Sequence, residues 1–290
     1  MPEAQATIGV IGGSGLYHMP ELTDVEEVTV DTPFGPPSDS LSIGTLAGQR
    51  VAFLPRHGRG HRISPTNLPV RANIWALKSL GVRQLISVSA VGSLRDEIAP
   101  LDIVVPDQLF DRTTSRPRTF FDESPVVHVG LAEPFCSAVR QHLLEAARSV
   151  VQTQVHDGGK LVVIEGPQFS TRGESRLFRQ WGLDIIGMTT LPEARLAREA
   201  ELCYACLALV TDYDVWRHSE EPVTVEMVIQ NLNQNVGAAQ RILRAVVPRL
   251  AGAPCADGCG DALATAIVSA PNTVRAETRA RLGLLLDRYL

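Results

Sequence analysis

The chain lacks any apolar run long enough to span a membrane. Its N-terminus, Met1-Pro2-Glu3-Ala4-Gln5, has no basic residue, and the apolar run from Ile8 to Ile11 is too short for the core of a signal peptide. A cytoplasmic location with no membrane partner is the expectation. An excess of positive charge is also missing. Lys and Arg number 27 against 32 Asp and Glu, for a net charge of −5, so charge gives a nucleic-acid partner no support. Cysteine is sparse, with five residues. Cys136, Cys203 and Cys206 sit in apolar segments and read as small buried hydrophobes. Cys203 and Cys206 have CxxC spacing, but within the strand-like run Leu202–Val210 rather than at a helix start, so a redox pair is not expected. Cys255 and Cys259 lie in a Gly-rich tail with no histidine nearby, and no zinc site is expected there. No Walker lysine, complete GxGxxG or Ser-His-Asp arrangement is legible. The expectation is therefore no metal and no cofactor.

What is present is an ordinary globular composition, 44% apolar and 20% charged over 290 residues. Short β-rich runs alternate with longer amphipathic segments. Strands are expected at Thr7–Ile11, Leu41–Ile43, Val51–Leu54, Gln84–Ala90, Asp102–Val105, Leu161–Glu165, Asp184–Ile186 and Leu202–Thr211. Helices are expected at Leu68–Leu80, Glu133–Val151, Thr171–Gln180, Pro192–Ala200 and Thr224–Leu250. The last carries Val225, Val228, Ile229, Leu232 and Val236 on one face. This alternation predicts an α/β fold with a mainly parallel sheet covered on both faces. Residues 1–250 read as one domain, and 251–290 as a partly helical tail of the same domain. Pro106–Pro125 reads as a long loop with three arginines.

Six polar clusters fall at the ends of predicted strands. Gly12-Gly13-Ser14-Gly15 offers a tight turn, free backbone N–H groups and a hydroxyl to an anion. Arg56-His57-Gly58-Arg59-Gly60-His61-Arg62 supplies cationic and imidazole donors suited to phosphate. Ser89-Ala90-Val91-Gly92-Ser93 adds a hydroxyl beside glycine. The remaining three are Glu165–Arg172 with Phe169 and Ser170, Gly187-Met188-Thr189-Thr190, and Thr211-Asp212-Tyr213-Asp214. Each taken singly has a bland reading as a turn or a solvated loop. Together they point to one site, because ligands in open α/β sheets gather outside the carboxyl ends of strands. Hydroxyls, arginine and histidine suit phosphate, Phe169 and Met188 suit a ring or sugar face, and two aspartates suit amine-type donors.

At these residues the sequence resembles the trimeric purine nucleoside phosphorylase family, and within it the methylthioadenosine branch. The segments that carry the resemblance are IGVIGGSGLY, VDTPFGPPSD, Pro55-Arg56-His57-Gly58-Arg59, ANIWALKSLG, SAVGSL, DQLFDRTTSRP, LAEPFC, IEGPQFSTRGES and GMTTLPEARLAREAELCYACLALVTDYD, spread over roughly residues 7–250. The resemblance implies a single-domain αβα sandwich around a mixed, twisted, partly barrel-like sheet. It also implies a homotrimer that acts on a purine nucleoside with inorganic phosphate as co-substrate. Ser14, Arg56, His57, Ser89, Ala90 and Thr189 would hold phosphate. Met188 would support the sugar and Phe169 the purine, with Asp212, Tyr213 and Asp214 at the base. Ser170 and Val225 match positions linked to the choice of base and 5' substituent, and His128 matches a residue lent to the neighbouring subunit's 5' pocket.

The chemistry this implies is phosphorolysis of the N-glycosidic bond. As the bond to C1' breaks, charge builds on the leaving purine, and a carboxylic acid near N7 stabilises it. Asp212 is expected to serve N7 and Asp214 to accept from the 6-amino group, though the sequence leaves their roles exchangeable. An aspartate pair favours adenine, whereas the branches that cleave inosine typically carry asparagine at the first position. Pro69-Val70-Arg71 departs from this pattern and looks more like the 6-oxopurine branch, and Gln168 replaces the more common arginine. The competing readings are a phosphorylase of inosine and guanosine, a phosphate-independent nucleosidase, and a non-catalytic nucleoside-binding protein. A substrate panel separates the first, turnover without phosphate the second, and tight binding without product release the third.

Overall fold

In the computed structural model of the chain, the described residues are 5–13, 16, 19–217 and 225–290, without the side chains at positions 225 and 227. Among them the strands are β1 Ile8–Gly12, β2 Thr23–Val28, β3 Leu41–Leu46, β4 Gln49–Pro55, β5 Gln84–Ser93, β6 Ile103–Val105, β7 Gln108–Arg112, β8 Val155–Asp157, β9 Lys160–Ile164, β10 Ile185–Gly187 and β11 Cys203–Asp212. The helices are α1 Val70–Ser79, α2 Ser137–Val150, α3 Arg172–Gln180, α4 Thr190–Glu199, α5 Val225–Leu250 and α6 Ala276–Leu286.

Alternation within the central strands explains the layering. Along β11 every residue is buried. Tyr204, Cys206, Ala208 and Val210 enter one hydrophobic cluster, and Cys203, Ala205, Leu207 and Leu209 the other. Successive side chains point to opposite faces of a strand, so a strand apolar at every position needs cover on both sides. Ile74 and Leu77 of α1, Leu196 of α4 and Leu282 of α6 cover one face. Leu143 of α2 and Ile242, Leu243 and Val246 of α5 cover the other. The tail after α5 thus adds its last helix to the same core.

The sheet is mixed, in the order β2-β3-β4-β1-β5-β10-β9-β7, with β11, β6 and β8 branching from β5. Strand β5 is the hub. One edge pairs with β11 in parallel along nearly its whole length. The other edge is shared. β1 pairs with it up to Gly12 opposite Val88, and β10 resumes antiparallel with Ile186 opposite Gly92. Among the described residues, Ser89, Ala90 and Val91 therefore have no strand partner on that edge, and the sheet opens there.

The structure departs from the sequence reading at three strands. β2 is almost wholly exposed and carries Asp24, Glu26 and Glu27, so no apolar alternation announces an edge strand. β7 lies inside the segment read as a loop and pairs with β9. β8 has three residues and pairs with β6. Helix α2 begins four residues later than expected, because Cys136 is extended (φ −70°, ψ 121°) and serves as its N-cap.

Candidate active site

The opening beside β5 leads into a cavity of about 590 Å³ that draws on every polar cluster singled out in the sequence. Gly13, Arg56 with His57, Ser89 with Ala90, Phe169 with Ser170, Met188 with Thr189, and Asp212 with Asp214 all line it. Two polar networks divide this wall.

The first centres on Arg56, which is buried at the end of β4. Its Nε donates to Glu193 Oε1 at 2.5 Å and its Nη2 to Glu193 Oε2 at 3.2 Å and Ser87 Oγ at 2.7 Å. Its Nη1 donates to the Val88 carbonyl at 2.9 Å. Most of this guanidinium is committed to a buried ion pair with Glu193, which Tyr204 also supports by donating to Glu193 Oε2 at 3.1 Å. Ser87 Oγ lies 3.4 Å from Ser89 Oγ, which lies 3.2 Å from Thr189 Oγ1. Thr189 is the N-cap of α4, yet its side chain makes no capping bond. Its hydroxyl lines the cavity instead, and the extended Leu191 (φ −114°, ψ 137°) separates it from the continuous helical run of α4.

His57 completes this network. Its Nδ1 donates to the Ile63 carbonyl at 2.8 Å, and its ring stacks on His61 with centroids 4.3 Å apart. Because a carbonyl only accepts, Nδ1 carries the proton and Nε2 of the neutral ring keeps a lone pair. Burial, then the charge of Arg56, holds the His57 pKa down to about 4. The ring is therefore neutral near pH 7, suited to accept from a protonated phosphate oxygen.

The second network is a pair of carboxylates at the end of β11. Asp212 Oδ1 accepts the Asp214 backbone N–H at 2.8 Å, and Asp212 Oδ2 accepts from Thr211 Oγ1 at 2.7 Å. Ser170 Oγ lies 2.8 Å from both oxygens of Asp214. Burial raises the pKa of both carboxyls. For Asp212 the nearby Asp214 charge adds to the rise. The strand end is held by α5, where Asn231 and Asn235 donate to the carbonyls of Thr211 and Val210 at 2.6 and 3.0 Å. Gly92 makes room for the pair, since a Cβ there would stand 2.8 Å from Asp212 Oδ1.

Met188 is fixed from below. A Cβ at Gly166 (φ +65°) would stand 2.6 Å from Met188 Sδ. Arg116 is buried and donates to the carbonyls of Met188 at 2.5 Å, Leu191 at 2.7 Å and Glu165 at 2.5 Å, with Nε on Glu165 Oε1 at 3.2 Å. Phe169 is 44% exposed at the rim. Val228, Leu232 and Val236, one face of α5, form an apolar wall.

Other expected residues lie elsewhere. Tyr213 does not line the cavity. Its ring, just past the end of β11, sits edge-on to Trp216 and under the Arg217 guanidinium, 3.6 Å from the centroid. His128 is exposed outside the cavity, its backbone N–H donating to the Ala266 carbonyl at 2.9 Å. Ser14 and the side chain of Val225 fall outside the described residues. Pro69-Val70-Arg71 does not reach the cavity either. Pro69 is the N-cap of α1, and Arg71 bonds Asp122 at 2.5 Å and lies over the Phe34 ring. Sequence reasoning missed Glu193, Arg116, Asn231 and Asn235. The apolar face of α5 was visible as periodicity, and of its residues only Val225 was tied to a ligand, through the resemblance.

A hydroxyl–imidazole–arginine network sharing a cavity with a carboxylate pair, buried at Asp212 and half-buried at Asp214, at a break in a mixed sheet, is the site of a nucleoside-type phosphorylase. The chain belongs to the phosphorylase superfamily, whose family model matches residues 7–248. Its relatives narrow this further. It is 57% identical to the S-methyl-5'-thioadenosine phosphorylase of Gloeobacter violaceus over 294 residues, covering 100% of this chain and 98% of that one. It is 55% identical to the enzyme of the same name from Chloroflexus aurantiacus, covering 98% of each. Among solved structures, a methylthioadenosine phosphorylase from an antarctic soil metagenomic library superimposes with a TM-score of 0.92 at 48% identity, covering 98% of this chain and 100% of that one. A variant of the Schistosoma mansoni adenosine/methylthioadenosine phosphorylase in complex with methylthioadenosine gives a TM-score of 0.84 at 37% identity, covering 93% and 100%.

Proposed function

We propose that this chain cleaves 5'-methylthioadenosine with inorganic phosphate, releasing adenine and 5-methylthioribose 1-phosphate. The observation that carries the reading is the pair Asp212, buried, and Asp214, half-buried, both with raised pKa, lining the same cavity as the hydroxyl–imidazole–arginine network. A 6-aminopurine presents a donor to such a pair. A 6-oxopurine presents an acceptor that a carboxylate repels, and a mismatched buried polar group is strongly rejected.

In this reading Ser89, Thr189, His57, the remaining Arg56 donor and the Ala90 backbone hold phosphate beneath C1' of the ribose. Ser14 joins them as the sequence resemblance implies. Met188 supports the sugar and Phe169 the purine. As the C1'–N9 bond lengthens, electrons move into the purine and phosphate oxygen closes on C1'. Asp212, whose pKa burial raises, donates to N7 as charge builds there, and Asp214, oriented by Ser170, accepts from the 6-amino group. The apolar face of α5, with Val225 at its start, receives the methylthio group. No metal or organic cofactor takes part.

Residues 1–250 supply the catalytic body and 251–290 a tail of the same domain. Three copies assemble, with His128 offered to a neighbour. The exposed pair Phe110 and Trp181, with centroids 5.4 Å apart, supports an interface, and light scattering at three chain masses checks it. The substrates, a free nucleoside and phosphate, agree with the cytoplasmic location expected from the sequence.

The activity test measures adenine release from methylthioadenosine with and without phosphate. Release that depends on phosphate and yields a sugar phosphate supports the reading. Equal release in phosphate-free buffer makes the protein a nucleosidase and contradicts it.

A further inference from the structure

Four of the five cysteines, scattered over the sequence, meet in space. The Sγ atoms of Cys136, Cys203, Cys255 and Cys259 all lie within 4.8 Å of one another, and those of Cys136 and Cys255 are 3.8 Å apart. All are free thiols in the structure. Four sulfurs around zinc at about 2.3 Å stand about 3.8 Å from each other at the edges of a tetrahedron. The observed spacing thus approaches that of a filled tetrathiolate site and exceeds the ~2.05 Å of a disulfide bond.

We infer that Cys136, Cys203, Cys255 and Cys259 form a structural tetrathiolate site for one zinc ion. The separation of Cys255 and Cys259 falls within the C-x₂₋₄-C spacing of such sites. The elements that carry the ligands differ in kind. Cys136 is the N-cap of α2 with no side-chain capping bond, so its sulfur sits at the positive end of a 14-residue helix. Cys203 opens β11. Cys255 lies on the connection after α5, and Cys259 begins a short 3-10 helix. Binding zinc releases up to four thiol protons to solvent and leaves a net charge of about −2 on the centre. The surroundings oppose that charge. Arg198 is buried and its Nη1 lies 3.7 Å from Cys259 Sγ, while its Nη2 is fixed on the Glu133 carbonyl at 2.6 Å. The connection itself is built over the α2 terminus, since Asp257 accepts from the Ser137 N–H at 2.5 Å and the Ser137 hydroxyl at 2.7 Å. Residues 256–258 are exposed and Cys255 is half-buried, which gives the ion an entry path. None of the four cysteines lines the catalytic cavity, so the site clips the tail to the body without a part in the reaction.

The test uses the full chain, purified under reducing conditions, incubated with zinc chloride and desalted. Elemental mass spectrometry is expected to find one zinc per chain. Cys255→Ser and Cys259→Ser should each reduce this at least tenfold while keeping the circular dichroism spectrum of the native chain, which shows that they fold. Cys206→Ala, which alters the fifth cysteine, should keep one zinc. Cobalt in place of zinc should give the thiolate charge-transfer bands and intense visible bands of tetrahedral sulfur coordination. Zinc no higher in the native chain than in Cys255→Ser, iron bound there instead, or a disulfide among the four in freshly alkylated protein would each overturn the assignment. The readout is metal content, so it stands or falls separately from the proposed activity.

Discussion

Arg56, proposed to help hold phosphate, spends most of its donors on protein. Its charge is balanced by Glu193 in a pair where each side chain is 1% exposed. Removing one partner of a buried pair costs more than the pair contributes, because the remaining charge cannot return to water. Glu193→Gln keeps the shape and is expected to lose about 3–5 kcal/mol in urea unfolding. A loss below about 1 kcal/mol would mean that Arg56 finds its counter-charge elsewhere. Asp212 is expected to act on the leaving base. Asp212→Asn should lower kcat for methylthioadenosine by about 10²–10⁴-fold with the KM for phosphate little changed. A parallel rise in the phosphate KM would place Asp212 in the anion network instead. The polar residues at strand ends were legible because hydroxyl, imidazole and carboxylate groups are costly to bury without purpose. Glu193 and Arg116 were not, because each acquires its meaning only from a partner far away in the sequence. Arg116 meets Met188 and Leu191, and Glu193 meets Arg56.

At the scale of elements, the site exists because β1 stops pairing at Val88 and β10 resumes at Gly92. Gly92 is the joint. It pairs with Ile186 and sits against Asp212, and a Cβ would stand 3.1 Å from Ile186 Cγ2 as well as 2.8 Å from Asp212 Oδ1. Gly92→Ala is therefore expected to cost activity more than stability. We expect at least a tenfold fall in kcat/KM with an unfolding midpoint shifted by only a few degrees, read by steady-state kinetics and calorimetry. Unchanged kinetics would show that the carboxylate pair tolerates displacement. The central strands were readable from composition, since β11 and β1 are apolar at consecutive positions and need cover on both faces. β2 was not, because its charged residues face water along an exposed edge and carry no period that burial would impose. The four cysteines show the same limit. Their spacing is informative only for Cys255 and Cys259, and the fold alone brings Cys136 and Cys203 beside them.

For the whole molecule, the pH dependence of stability should carry the mark of a buried carboxyl remote from the cavity. Glu199 closes α4 and accepts the Phe120 backbone N–H at 2.8 Å. Burial pushes its pKa up to about 7 from 4.5. The folded value lies above the unfolded one, so the protonated form contributes stability that is present below the unfolded value and lost as pH rises through about 7. Glu199→Gln removes the titration. It should raise the unfolding free energy in urea relative to the parent at pH 8, by an amount on the order of 1 kcal/mol, with the gap closing towards pH 5. A gap independent of pH would show that Glu199 is not the group that titrates.

The central claim is that the paired carboxylates at the end of β11, Asp212 buried and Asp214 half-buried, select a 6-aminopurine. The most direct measurement is kcat/KM for methylthioadenosine and for inosine, each at saturating phosphate, on the native protein. The carboxylate pair predicts a preference for methylthioadenosine of roughly 10³-fold or more. Comparable values, or faster release of hypoxanthine from inosine, would contradict it and return Pro69-Val70-Arg71 as the better guide to substrate.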